Sequence, residues 1–347
     1  MKRCIKALPI TRTTGNVELE FAKYVDMHKL QATETSKDTL DEIQKRFFSS
    51  NHYAEEENLQ KIWSFMEPRI KLNAGLALFI LDYQGAESHY FFPWLINVAR
   101  SPATALEVSY GEGPDANGQW HRGIELTDDP FAQFVYDDPA FVYNRERQLF
   151  VADLVASIQA LAEENNPSKI IDFGAGRLPW IRHHGFVCRP QYQQIFAFDK
   201  DPTINPSELF SSKLADLGIH YEHGDFIKQF NNPDCREADL VILGGVMSYI
   251  QRDVAVGQII PAIYGLLKDD GVFFFDLQID CPVYRHSIDV LGWPEFDLPS
   301  STAATIDRVE SMRKQLWQNG IRFSAEYASD TYNSVPSAVM VTLQKVH

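Results

Sequence analysis

The stretch that most constrains this chain is Ile170-Ile171-Asp172-Phe173-Gly174-Ala175-Gly176-Arg177-Leu178-Pro179-Trp180. A short apolar run closes on an acid and then on Gly-Ala-Gly, ahead of residues able to start a helix. That order reads as a buried strand feeding a glycine turn, where missing side chains let a ligand approach the backbone. A lone Gly-x-Gly joins strands to helices in many folds, so its meaning depends on the strand ends that follow.

Those ends repeat a pattern. Residues 194–198 predict a second strand ending at Asp199, and residues 218–222 a third, followed by His223-Gly224-Asp225-Phe226. Residues 238–243 predict a fourth, running into Gly244-Gly245. Residues 272–277 predict a fifth, preceded by Leu266-Leu267-Lys268-Asp269-Asp270-Gly271. Helical periodicity lies between them, most clearly over 254–267. The alternation predicts an α/β protein with a Rossmann-like doubly wound sheet covered on both faces. After a Pro- and aromatic-rich loop over 281–301, Ile306, Val309 and Leu316 mark a helix stopped at Asn319-Gly320. Residues 321–327 and 337–346 then predict a closing antiparallel hairpin.

The first third has a different texture. Residues 1–35 give no clear element. Ser36 is a candidate N-cap for a helix carrying Leu40, Ile43 and Phe47 on one face. A second helix begins near Ala54 with Leu59, Ile62, Trp63 and Met66, and Pro68 is expected to kink or end it. The apolar run 74–81 and the aromatic run 89–95 predict a second helical layer. The turn cluster 111–118 separates 105–110 from 119–126, two runs able to pair as a hairpin. Asp138 and Pro139 then open a strong helix over 140–164. These textures divide the chain into a mainly helical lid or substrate domain, 1–134, and a Rossmann-like domain, 135–347.

Composition narrows the partners. The 347 residues carry a net charge of −15, which repels phosphate backbones and anionic lipid and disfavours nucleic acid. No apolar run approaches a membrane span. Cys4, Cys188, Cys235 and Cys281 form no Cys-x-x-Cys pair and are expected to be free thiols in a reducing cytoplasm. His183 and His184 are adjacent and would diverge on a helix, and no metal-ligand spacing is present, so no metal is expected.

Glycine backbone at the first strand end, an acid at the second and an acid beside an aromatic at the third suit a nucleoside with a flexible tail. Pro179 stands where a dinucleotide turn carries its third glycine. Taken in order, Asp172-Phe173-Gly174-Ala175-Gly176, Phe198-Asp199, Gly224-Asp225-Phe226, residues 238–242 and residues 266–271 resemble the class I S-adenosylmethionine (SAM)-dependent methyltransferase superfamily. The resemblance covers about residues 135–347 and leaves the first third unexplained. It implies SAM as cosubstrate, with Asp172, Gly174, Ala175, Gly176, Arg177, Asp199, Lys200, Asp225, Phe226, Gly244 and Gly245 around it. The spacing from Asp172 to Asp199 is long for the superfamily. Gly-x-Gly-x-Leu-Pro, with Phe198-Asp199-Lys200-Asp201-Pro202, is also similar to nicotianamine synthase, which moves the 3-amino-3-carboxypropyl arm of SAM.

The expected reaction is methyl transfer to a small molecule. Strand four ends in Gly244-Gly245-Val246-Met247, without the Asp/Asn-Pro-Pro-aromatic box of adenine and glutamine methyltransferases. Carboxypropyl transfer, or cyclisation of that arm to an azetidine ring with release of methylthioadenosine, is the alternative. A non-catalytic SAM-fold binding protein is a second. Each chemistry displaces an excellent leaving group, so alignment and desolvation dominate. Tyr143, Trp180, Ser248 and Tyr249 are the candidates for positioning or deprotonating an acceptor, and Arg177 or Arg145 for holding the carboxylate of SAM. The oligomeric state is not legible.

Overall fold

The computed structural model describes residues 30, 33–100, 107–122, 129–132, 139–162, 166–182, 186–202, 204–210, 212–280, 297–332 and 335–346. They fall into two compact units, residues 146–280 with 297–346, and residues 30–145.

The second of these is mainly helical. Helix α1, Lys37–Ser50, is capped by Ser36, whose side chain accepts from the Thr39 amide. Helix α2, Glu56–Lys71, continues for three residues past Pro68 and does not end there. Proline there removes one amide within the last turn, where little helix remains to disrupt. Helices α3, Ala74–Asp82, and α4, Phe91–Arg100, follow as expected. Phe47, Trp63, Phe91 and Phe92 are buried together, with Phe47 and Phe92 rings 4.5 Å apart. The small hairpin differs from the expected one: β1, Glu112–Pro114, pairs with β2, Trp120–Arg122, and Glu107–Tyr110 is a 3-10 turn. The first strand is thus cut from the turn cluster itself. Buried Asp129 accepts from the Ser88 hydroxyl and from the amides of His89, Phe131 and Ala132, so a full set of donors compensates its charge.

Helix α5, Pro139–Gln159, starts as predicted and ends one turn or more before the predicted Glu164. The other unit then builds a seven-stranded sheet from β3, Ser168–Phe173; β4, Gln193–Asp199; β5, Ile219–His223; β6, Ala238–Leu243; β7, Leu267–Gln278; β8, Phe323–Tyr332; and β9, Val335–Lys345. Their order is β5-β4-β3-β6-β7-β9-β8. Pairings from β5 through β7 are parallel, and β9 pairs antiparallel with both β7 and β8. The core contains Ile171, Phe173, Val241, Leu243, Phe273, Phe275 and Val341, all fully buried. Strand β7 begins five residues earlier than expected because Leu267 already pairs with Ala238 before a register shift.

The crossovers are uneven. Among the described residues, the β3–β4 connection carries only α6, Pro179–Arg182, and the β5–β6 connection only α7, Phe226–Gln229, with 3-10 turns. Full helices flank the other half. The segment α8 comprises Arg252–Val254, a π-helical Ala255–Ile259 and Ile260–Leu266. Pro261 lacks the amide that would bond Gly257, and the widened turn absorbs that loss. Helix α9, Thr302–Gln318, packs Val309, Met312 and Leu316 inward and stops at Asn319, with Gly320 at φ +78°. Residues 281–296 of the loop predicted over 281–301 lie outside the described residues.

Candidate functional site at the carboxyl ends of the strands

The chain leaves β3 toward β4 and β5, then returns to lay β6 on the other side of β3. Ligands of such sheets bind beyond the strand ends at this reversal. Glycine builds the turn there. The Gly174 and Ala175 amides both donate to the Phe198 carbonyl, tying the turn to the end of β4. Gly174, at φ +73°, has no room for a side chain, because a Cβ would sit 2.7 Å from a Val246 methyl. Gly176, at φ +52°, faces open space instead. One glycine is required by packing and the other leaves bare, approachable backbone.

Two carboxylates flank this turn. Asp199 is buried at the end of β4 and accepts from the amides of Gly176 and Asp201, each at 2.9 Å. Burial pushes its carboxyl above the usual range, while those two hydrogen bonds hold it down. Asp172, 4% exposed, accepts from the Trp180 indole at 2.8 Å. Burial pushes its carboxyl up to about 7; Asp199 adds to the rise, and the indole and Arg147 oppose it. The Tyr221 hydroxyl donates to the Gly176 carbonyl at 2.9 Å, and burial raises its phenol.

Across β6 the chemistry changes. Gly244 and Gly245 follow the strand, and Arg147 of α5 lies against them, its Nη1 2.7 Å from where a Gly245 Cβ would stand. That guanidinium pairs with Asp276 of β7 at 3.3 Å, both side chains being buried. The other Asp276 oxygen accepts from the Gly245 amide. Ser248 accepts from the Gln278 amide at 3.1 Å, and the Tyr249 side chain is half-exposed.

The structure thus gathers Asp172, Gly174, Ala175, Gly176, Trp180 and Asp199 about one turn, with Gly244, Gly245, Ser248 and Tyr249 following β6. Trp180 is fully buried, its indole engaged by Asp172. Arg177 is half-buried and Lys200 exposed. Asp225 caps α7 through the Ile227 amide, and Phe226 packs against Phe173 and Phe230. Tyr143 and Arg145 belong to the helical unit, where Tyr143 is buried. Sequence reasoning missed Arg147, Tyr221 and Asp276. The last had a signal, an acid inside the apolar run Phe273-Phe274-Phe275-Asp276-Leu277.

Among the described residues no group of three or more His, Cys, Asp or Glu side chains is placed to hold a metal. His183 and His184 lie outside them. No described helix is long and apolar enough to cross a membrane. Cys188 and Cys235 are free thiols. The residues that could hold a nucleoside cosubstrate are the open backbone at Gly176, the Asp199 carboxylate and Asp225.

A parallel run of β5-β4-β3-β6-β7, extended by an antiparallel strand inserted before the edge, with the glycine turn at the reversal, decides the architecture. The chain has a Rossmann-like fold with a mostly parallel seven-stranded sheet and an antiparallel closing hairpin. No protein-family profile matches the sequence, and no curated protein matches it. Solved structures do. A possible exported protein from Bordetella parapertussis superposes with a TM-score of 0.53 at 13% identity, over 94% of this chain and 96% of that one. The N-methyltransferase NodS from Bradyrhizobium japonicum gives 0.37 at 12%, over 59% and 97%. A 16S rRNA adenine methyltransferase from Catenulisporales acidiphilia gives 0.37 at 14%, over 56% and 92%. Only the first of these likenesses bears on the fold, and none bears on the reaction.

Proposed function

We propose that the sheet unit is a SAM-dependent transferase acting on a small molecule, with methyl transfer as its reaction. The observation that carries this reading is the buried Asp199 carboxylate beside the open Gly176 backbone at the strand-order reversal. In this reading Asp199 accepts from the ribose hydroxyls. Gly174, Ala175 and Gly176 let the amino-acid tail pass, and Asp225 with Phe226 and Lys200 border the adenosine. Gly244 and Gly245 keep the floor low, and Arg147 joins Arg177 as a candidate for the tail's carboxylate. Bound SAM supplies an electrophilic methyl on a sulfonium sulfur. The chain's own work is orientation and exclusion of water. Tyr249, half-exposed, and Ser248 are the candidates to orient or deprotonate an acceptor, with Tyr143 a further candidate. The net charge of −15 favours a small acceptor over nucleic acid. The free thiols accord with a cytoplasmic setting.

The turn Gly174-Ala175-Gly176-Arg177-Leu178-Pro179 is similar in sequence to that of nicotianamine synthase, and carboxypropyl transfer or cyclisation is the second reading. Incubation with SAM, alone and with cell extract, followed by mass spectrometry separates them. Adenosylhomocysteine is the expected product. Methylthioadenosine formed without an acceptor would replace methyl transfer by cyclisation, and absence of SAM binding in calorimetry would overturn both.

A further inference from the structure

Gln278 closes β7 and is 9% exposed. It stands two residues beyond Asp276, so both side chains leave the sheet on one face. That face carries Phe274 against Phe150 of α5, ring centroids 5.5 Å apart, then Asp276 paired with Arg147, then Gln278 at the carboxyl end. Beside Gln278 on β9 lies Ala338, whose side chain has no polar atom to offer. Among the described residues the buried Gln278 Oε1 accepts no hydrogen bond. Interiors rarely leave such an oxygen unanswered, and it is costly unless a ligand brings the donor. The Gln278 backbone amide meanwhile donates to the Ser248 hydroxyl oxygen at 3.1 Å, joining the end of β7 to the segment after β6. That hydroxyl oxygen keeps a second lone pair. A carbonyl oxygen and a hydroxyl oxygen are thus tethered to each other where ligands of such sheets bind.

A carboxamide oxygen accepts and never donates, so its partner must present an N–H or an O–H. An alcohol must also lose its proton as it attacks. Asp276 is already held by Arg147 and the Gly245 amide, and burial raises the Tyr249 phenol, so neither is a ready base. A free amine brings its own lone pair and asks only for oxygens to take its hydrogens. Resting on the reading that the sheet unit uses SAM, we propose that Gln278 selects an amine substrate, its Oε1 taking one N–H and Ser248 Oγ a second. The amine lone pair then forms the new N–C bond, and the C–S bond breaks onto sulfur to leave a neutral thioether. The ammonium so formed loses its proton to solvent. Gln278 is thus a specificity-determining residue, and its choice of nitrogen holds whichever carbon of SAM reacts.

The experiment supplies the full chain with cell extract and SAM labelled with carbon-13. The label sits on the methyl and on the methylene next to sulfur in the amino-acid arm. Carbon-13 NMR of the products then reads which element the transferred carbon is bonded to. Label on the nitrogen of a compound from the extract is expected. Label on oxygen, sulfur or carbon would overturn the inference while leaving SAM use intact, and so would label leaving SAM without extract. Bound SAM with no labelled product would also overturn it, whereas absence of SAM binding in calorimetry would overturn the functional reading beneath it. None of these measurements needs a variant to fold. With the amine recovered from that reaction, Gln278→Met should raise its KM about tenfold, the worth of one hydrogen bond, and leave SAM affinity unchanged. The same variant should not lower the thermal stability of the ligand-free chain, because it removes a polar group that no described residue answers. Lost stability with an unchanged KM would mark a purely structural amide and overturn the inference. Gln278→Glu keeps an accepting oxygen and should hold the KM closer to wild type than Gln278→Met does; the reverse order would overturn it too.

Discussion

The two halves of the sheet end in opposite electrostatic arrangements. At the carboxyl ends of β6 and β7, Asp276 meets a guanidinium and a backbone amide, and the buried charge is matched inside the protein. At the ends of β3 and β4, Asp172 accepts from an indole and Asp199 from backbone amides, and among the described residues neither forms a close ion pair. One half holds its buried carboxylate in an ion pair, whereas the other holds its carboxylates by hydrogen bonds alone. The covering follows the same division: full helices α8 and α9 pack the half with the ion pair, and short turns cross over the other.

Breaking the matched half should cost most. Asp276→Ala leaves Arg147 buried without that carboxylate and removes the acceptor for Gly245, so urea unfolding should show a loss of about 3–5 kcal/mol. A loss under about 1 kcal/mol would mean the pair is not the internal compensation inferred from its burial.

The unmatched half should behave in the opposite sense. The Asp172 carboxyl lies above its unfolded value near 4, so the folded protein holds its proton more tightly between those values. Stability from this group is therefore lost as pH rises through that window, at roughly 1.4 kcal/mol per pH unit. Asp172→Asn should stabilise the ligand-free protein by about 2–4 kcal/mol at pH 8 and have little effect at pH 4, read from unfolding curves at both. Equal effects at the two pH values would refute the uncompensated charge. Asp199→Ala should weaken SAM binding about 100-fold by calorimetry, through loss of charge-assisted hydrogen bonds and of the acceptor that orders Gly176. The smallest effect is expected for Tyr221→Phe, about 0.5–1.5 kcal/mol of stability from one hydrogen bond to the Gly176 carbonyl.

Strands β3, β4 and β6 were legible because each is a short apolar run closed by Gly or Asp, and the glycine turn and Asp199 followed from the same pattern. What stayed hidden depended on pairing at a distance. Arg147 is one cation among several on a helix, and only its contact with Asp276, far along the chain, singles it out. Tyr221 sits on an edge strand whose exposed face carries no hydrophobic signal. The rule that proline ends a helix loses its force at Pro68, where only one turn of helix is left. The hairpin over 112–122 was misplaced because Glu112 and Gly113 look like turn residues, and their pairing with Arg122 and His121 is not written in either segment alone.

Strand β9 lies inside the sheet, between β7 and β8, although it follows both in the chain. During synthesis the β7 edge stays unsatisfied until residues 335–345 leave the ribosome, so this unit cannot close progressively from its first strand. Its contacts of long sequence separation place it among slow folders. Until β9 arrives, an open apolar edge at Phe273–Phe275 is available for wrong pairing. Expression yield should therefore respond to translation speed over the final strand more than to changes in the helical first third.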